Sequence, residues 1–167
     1  AVAAAIAFFA VMRMHNGRSL RALGALDRPP AYHGIQLRAD VTAADSLFHD
    51  GMTAYVAGRY DDAARLLGAS ITALPAGSDS GAAAAAHFFL GASLLVRHDP
   101  TAAAAAFARV ATAGWSPYRD EAHYYRALAL LQTGNRADAA TELHAAAAGA
   151  DSIARRARDL LARLEAQ

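Results

Sequence analysis

The residues best suited to chemistry stand together in the stretch Gly-Arg-Tyr-Asp-Asp, residues 58–62. Here the Tyr60 phenol is followed by the carboxylates of Asp61 and Asp62. Paired carboxylates beside a hydroxyl are typical of general acid–base catalysis and of metal binding. Adjacent residues of a helix point about 100° apart, however, so these two aspartates do not form a paired site by themselves. We expect them in the first turn of a helix, where acidic side chains complement the helix dipole.

The seven histidines are the other candidates for catalysis or metal binding. His87 and His123 occupy equivalent positions in two similar segments, so we expect them about one repeat apart on the same side. No carboxylate pattern accompanies them to complete a metal site, and we predict core or groove-edge positions for both. The chain has no cysteine and none of the common protease, esterase or phosphate-loop motifs. We therefore predict no enzyme activity, no catalytic residue, no metal and no cofactor.

The composition indicates one helical domain with an appendage. Among 167 residues, 48 are alanine, the strongest helix former, and only five are proline. A chain of this length can bury a substantial core. The net charge of +1 gives no attraction to nucleic acid, and no small-molecule substrate is indicated. We predict an all-α protein whose partners are other proteins.

The first 24 residues are predicted to form an apolar helix and a partial membrane anchor. Residues 1–12 are all apolar and Arg13 follows, but twelve residues are too few for a complete span. A buried or interfacial helix and the remnant of a signal peptide are the alternatives. Arg13, Arg18 and Arg21 can contact lipid phosphates at the end of the apolar run. The chain does not begin with Met, which leaves open whether residues precede Ala1.

Residues 25–43 are predicted to be an extended linker or a strap. Pro29 and Pro30 cannot continue a helix and favour extended backbone. The segment is either a free tether between anchor and domain or a strap packed on the domain. Charge also divides the chain at this point. Residues 1–43 carry five arginines against two aspartates, whereas the rest of the chain carries eleven arginines against thirteen acidic residues.

Helical hairpins recur after this linker. In the first one, apolar residues at helical spacing fill residues 44–57, Gly58 breaks the helix, and a second helix runs to Pro75. The same order follows twice more. The small residues just after the three turns are Ala63, Ala103 and Ala139, at spacings of 40 and 36 residues. The Gly- and Ser-rich loop at residues 76–82 accounts for the longer first spacing.

At these positions the chain resembles the tetratricopeptide repeat family, whose unit is 34 residues long with two antiparallel helices. Its signature has a small residue in the first helix, Gly at the turn, Ala early in the second helix, and a large apolar residue four positions later. The first copy matches at Gly51, Gly58, Tyr60, Ala63, Leu67, Ser70 and Pro75. The second matches at Gly91, Ala103 and Phe107, with His98 at the turn. The third matches at Gly134, Ala139 and Leu143, with Ala127 replacing the first glycine.

The resemblance covers residues 44–150 and implies a binding module. In this family the first helices line a concave groove that holds partner segments. The matching groove residues are Phe48, Met52, Tyr55, Val56, Phe88, Leu95, Val96, Tyr124, Leu128 and Leu131, together with Ala92 and Gln132. An exposed groove this apolar is a liability unless it is occupied. Its occupant is either a partner chain or the chain's own residues 20–43. We favour the latter, which leaves the convex face and the ends for partners.

Residues 151–167 are predicted to form a capping helix that completes the repeat domain, residues 44–167. Asp151 is the expected N-cap, and one side of the helix is an apolar stripe. The opposite side is rich in arginine. We predict that this side is the solvated face that ends the array, with binding of an acidic partner as the alternative.

The order of apolar segment, proline-containing tether and helical hairpins also resembles a group of bacterial envelope proteins. In those, a cytoplasmic zinc-finger or anti-sigma-like region precedes one membrane helix and an alanine-rich repeat domain outside the membrane. The resemblance implies a membrane-anchored interaction scaffold with a periplasmic repeat domain. One alternative is an accessory structural subunit of a larger energy-transducing membrane complex, for instance respiratory or photosynthetic. The other is a fragment of a membrane-bound anti-sigma-like regulator, although this sequence contains no zinc-finger residues.

Overall fold

The computed structural model describes residues 17–32, 34, 42–75, 81–113 and 116–166. All regular secondary structure in these ranges is helical, which confirms the predicted all-α class. Helix α1 is described over residues 17–23. The helices that follow are α2 (Ala43–Val56), α3 (Tyr60–Ala73), α4 (Gly81–Val96), α5 (Pro100–Ala111), α6 (Arg119–Gln132), α7 (Arg136–Ala146) and α8 (Ser152–Glu165).

The predicted membrane anchor falls largely outside the described residues, which begin at residue 17. Within the part of the chain that the structure describes, no helix combines the length and apolar character needed to cross a membrane. The described end of the anchor segment is helical up to residue 23. The first hairpin starts with α2 at Ala43, because the Thr42 side chain accepts a hydrogen bond from the Asp45 amide and caps the helix there.

Each helix from α2 onward packs against the next one along the chain. Helices α2 and α3, α4 and α5, and α6 and α7 form three hairpins, and α8 packs on α7 and α6. The first helices α2, α4 and α6 also contact one another in order. This sequential packing is compatible with a helical repeat fold, in which each unit buries its apolar face on its neighbours.

The three hairpin turns have the same backbone geometry. Each contains one residue in the left-handed region: Gly58 (φ 74°), His98 (φ 60°) and Gly134 (φ 84°). In each turn the next amide donates to the carbonyl five residues earlier, at 2.9 Å in all three cases. This is the pattern of a Schellman-type helix end, which satisfies carbonyls that the helix leaves unpaired. The turns therefore recur at the spacings that the sequence predicted.

A small residue in each first helix lets the second helix of the hairpin approach closely. A Cβ atom on Gly51 would lie 2.9 Å from Leu67 Cγ, and one on Gly91 would lie 2.9 Å from Phe107 Cε1. Both contacts join residues that are 16 positions apart. At the same spacing in the third hairpin lie two fully buried residues, Ala127 and Leu143. The hairpins thus share their internal packing register as well as their turns.

Candidate interaction surface

The adjacent aspartates at the start of α3 are held in separate ion pairs. Both lie in the first turn of the helix, as the sequence predicted. Asp61 Oδ1 lies 2.5 Å from Arg97 Nε, and this pair joins the first hairpin to the second. Asp62 lies 3.2 Å from Arg59 and 3.4 Å from Arg65, within its own hairpin. Because the two carboxylates have different partners, this stretch is the start of a helix and not a paired-carboxylate site.

The two equivalent histidines have different surroundings. His123 Nδ1 lies 2.7 Å from Glu142 Oε2, and Arg126 donates to the other carboxylate oxygen at 2.7 Å. This buried network ties α6 to α7. His87 is half-buried, and burial together with the nearby Arg109 charge lowers its pKa below the ordinary value. Among the described residues, no three metal-binding side chains come together.

Most of the predicted groove residues are buried. The buried members are Phe48, Met52, Tyr55, Phe88, Leu95, Tyr124, Leu128 and Leu131, and Ala92 lies with them. Val56 and Val96, which are the last residues of α2 and α4, differ from this group. Val56 is 69% exposed, and Val96 is half-buried. The apolar face of the first helices is therefore covered, and its exposed apolar surface lies at the ends of the helices that precede the turns.

The groove is covered by the chain's own upstream segment, residues 20–32, called the strap from here on. Leu20 and Leu23 are each only 8% exposed. Gly24 lies so close to α6 that an added Cβ would be 2.5 Å from the Leu128 carbonyl oxygen. The Gln132 side chain donates to the Gly24 carbonyl at 2.8 Å. These contacts attach the beginning of the strap to the third hairpin.

The other end of the strap is attached to the first two hairpins. The Tyr55 hydroxyl donates to the Pro30 carbonyl at 2.7 Å. The Tyr32 ring meets the Phe89 ring edge to face, with 5.3 Å between centroids. Burial, reinforced by neighbouring Tyr60, raises the pKa of Tyr55 far above its ordinary value, so this hydroxyl remains a hydrogen-bond donor. The strap thus crosses the first helices from the third hairpin back to the first.

This arrangement confirms, for the described residues 20–32, the expectation that the chain fills its own groove. Of the rest of the predicted occupant, residues 33 and 35–41 lie outside the described residues, and residues 42–43 cap and begin α2. One strap-binding residue was absent from the predicted groove. It is Phe89, which contacts both Tyr32 and Tyr55. The aromatic doublet at residues 88–89 was the available signal for Phe89, because adjacent helix residues face different neighbours.

Comparison with known proteins adds no relative. No protein-family model matches this chain, and no curated protein matches it. The fold assignment therefore rests on the structure. The structure establishes an all-helical array of successively packed hairpins, compatible with a helical repeat fold, whose first helices are crossed by an upstream segment of the same chain.

Proposed function

We propose that this chain is a tetratricopeptide-like interaction module and that it acts as a membrane-anchored protein scaffold. The observation that carries the proposal is the threefold recurrence of one hairpin, with matching left-handed turns and matching close contacts between its helices. Stacked hairpins of this kind create an extended surface whose specificity comes from scattered exposed residues. The fold alone does not identify a binding surface, so we infer the partner surface from its exposed residues.

The partner surface of this scaffold lies outside the concave groove. The strap already covers the apolar face of the first helices through two hydrogen bonds and an aromatic contact. Val56, at the end of α2, is the exposed large apolar residue among the described residues. Arg59 follows Val56 by three positions, and Arg59 shares one surface pocket with the ion-paired Asp61 and Arg97. An apolar residue with charged neighbours is the usual composition of an interface centre and its rim.

The test separates a surface role from a core role. Val56→Glu should keep the thermal stability of the parent and lose partner binding. Phe88→Asp, which places a charge in the buried aromatic cluster, should unfold the domain, and so should Tyr55→Asp. Partner binding is measured by chemical crosslinking in intact cells, followed by purification of the tagged protein and mass measurement of the crosslinked particle. Undiminished binding by Val56→Glu would reject this surface. A stable Phe88→Asp that loses only its partner would show that the groove is the binding site.

The second candidate function is an accessory structural subunit of an energy-transducing membrane complex. The strap favours it, because a concave face that is already filled does not capture free peptides. Mass measurement of the intact particle after mild detergent extraction, without crosslinking, distinguishes the two functions. Stoichiometric partners in the intact particle indicate a structural subunit, and particles of the chain alone indicate a transient adaptor.

Anchoring in a bacterial envelope, with the helical array in the periplasm, is part of the proposal. It rests on the apolar residues 1–12 and the arginines that follow them. The absence of cysteine from the chain allows a direct test. Glu165→Cys introduces a single exposed thiol outside the proposed partner surface, and a membrane-impermeant maleimide should label it in intact cells if the array is periplasmic. Labelling only after cell lysis would place the array in the cytoplasm. The cell fraction that contains the protein tests the anchor separately.

A further inference from the structure

A cavity of about 880 Å³ lies beneath the middle of the strap. Its position is set by the two attachment points, Gly24 to Gln132 and Pro30 to Tyr55. Between these points the strap crosses the ends of the helices that lead into the turns. The volume is within the range of small-molecule sites, roughly 300–1,000 Å³. The cavity is open to solvent, and its lining comes from both the strap and the helical array.

The lining of this cavity is apolar, with basic groups among its polar members. The apolar part is formed by Leu26 and Pro29 of the strap and by Leu95 and Val96 at the end of α4. Arg21 is the charged member, and Tyr60, His98 and Gln132 are the other polar members. Among the described lining residues there is no carboxylate. The field inside the cavity therefore favours an anion attached to an apolar body.

Three acidic residues adjoin lining residues in sequence, and none of them is among the described lining residues. Asp27 lines a separate pocket, together with Arg163. Asp61 is paired with Arg97, and the Asp99 side chain caps α5 by accepting from the Ala102 amide at 3.1 Å. Arg21 has no ion pair with a described residue, and its side chain is exposed at the cavity. A guanidinium without a carboxylate partner binds a carboxylate through two parallel N–H···O bonds. The free hydrogen-bonding capacity of the cavity thus matches a carboxylate head group.

From this geometry we infer that the cavity binds a single-chain aliphatic carboxylate. The aliphatic chain lies against Leu26, Leu95 and Val96, and the carboxylate accepts hydrogen bonds from Arg21. The apolar lining beside one arginine matches a single-chain amphiphile with an anionic head group. This inference is independent of the proposed scaffold function, because it concerns a small ligand in a cavity that Val56 and Arg59 do not line.

Titration calorimetry with the full chain tests the inference. The probes are dodecanoate below its micelle concentration, the neutral dodecan-1-ol and the cationic dodecyltrimethylammonium. We expect dodecanoate to bind with a stoichiometry near one and at least about tenfold more tightly than the cationic probe. Arg21→Gln should weaken dodecanoate binding by about tenfold, the value of one partly exposed charge-assisted contact, and leave dodecan-1-ol unchanged.

Two matched controls come from the chain itself. Arg18 is an exposed arginine one helical turn before Arg21 and does not line the cavity, so Arg18→Gln should bind dodecanoate as the parent does. Val96→Trp should occupy the part of the cavity beside Leu95 and weaken dodecanoate binding. Val56→Trp changes the equivalent position of the first hairpin, outside the cavity, and should have no effect. Circular dichroism melts establish that each variant folds. The comparison of Arg18→Gln with Arg21→Gln tests the inference even if Val96→Trp does not fold, because both arginines are exposed.

Several outcomes would overturn the inference. Equal weakening of dodecanoate binding by Arg18→Gln and Arg21→Gln would show that only the overall positive charge matters. Binding of several dodecanoate molecules per chain would indicate ordinary detergent behaviour. Binding of the cationic probe as tightly as dodecanoate would remove the argument from charge. Full binding by a folded Val96→Trp would place the ligand elsewhere. Binding of an acetylated peptide ending in Leu-Leu carboxylate, without binding of dodecanoate, would make the cavity a peptide site.

Discussion

At the scale of single residues, Gly24 has the strongest steric requirement among the described glycines. A Cβ at this position would lie 2.5 Å from the Leu128 carbonyl oxygen and 2.8 Å from Leu131 Cβ. We predict that Gly24→Ala lowers the free energy of unfolding by about 1–3 kcal/mol, because the strap must move away from α6. Gly17, on α1, has no atom within 4 Å of an added Cβ, so Gly17→Ala is the control. Urea unfolding should show that it is neutral or stabilising, by up to about 1 kcal/mol.

The buried carboxylate of Glu142 is a second residue with a definite role. It accepts from both His123 and Arg126, and its side chain is only 11% exposed. Glu142→Gln keeps the side-chain shape but leaves the Arg126 charge without its counter-ion. We predict that the free energy of unfolding falls by about 1–3 kcal/mol. The effect is smaller than for a fully buried pair because Arg126 is partly solvated. Glu165→Gln, at an exposed position near the end of α8, should change stability by less than about 0.5 kcal/mol. Equal effects in denaturant titrations would contradict the prediction.

His87 should make the stability of the domain depend on pH. Burial and then the Arg109 charge lower its pKa in the folded state, so the unfolded chain binds a proton more readily. The stability associated with neutral His87 is complete above the unfolded pKa of 6.5 and is lost as pH falls from there through the lower folded value. His87→Gln should therefore flatten the pH dependence of the unfolding free energy below pH 6.5. An unchanged slope in paired urea titrations would exclude this residue as a source.

At the scale of elements, the turns determine where each hairpin closes. His98 adopts φ 60°, a conformation that costs a residue with a Cβ roughly 1–2 kcal/mol, whereas glycine occupies the same place in the other two turns. We predict that His98→Gly raises stability by about 0.5–1 kcal/mol, since the greater flexibility of unfolded glycine cancels part of the gain. Gly58→Ala should lower stability by about 1 kcal/mol. Thermal melts of both variants test this prediction. We expect the melting temperature to rise for His98→Gly and to fall for Gly58→Ala.

At the scale of the whole molecule, the strap joins hairpins that are distant in the array. Stacked hairpins normally contact only their neighbours, so their unfolding can separate into steps. The strap bonds Gln132 of the third hairpin at one end and Tyr55 of the first at the other. We predict one cooperative transition for the parent and a broader transition with a lower m-value for the double variant Tyr55→Phe/Gln132→Ala. Gln132→Ala alone retains one attachment and should show an intermediate m-value. Identical m-values would mean that the strap does not couple the hairpins.

Local features of the sequence determined the hairpins. Gly58 and Gly134 mark their turns because only a left-handed residue closes them, and Asp151 starts α8 by accepting from the Ala154 amide, as predicted. The close contact between Gly51 and Leu67 also lies within one hairpin. All these interactions join residues near one another in the chain, so their residue types are enough to reveal them.

Only the tertiary structure decided what covers the groove, and by which contacts. Periodicity identifies which side of a helix is apolar, but it does not identify the segment that covers that side. The bond from Gln132 to the Gly24 carbonyl spans 108 positions, and no local pattern connects the two residues. The same limit explains Val56, which fits the apolar pattern of the groove and yet is 69% exposed. Helical spacing fixes the direction of a side chain, whereas its burial depends on how far the strap reaches.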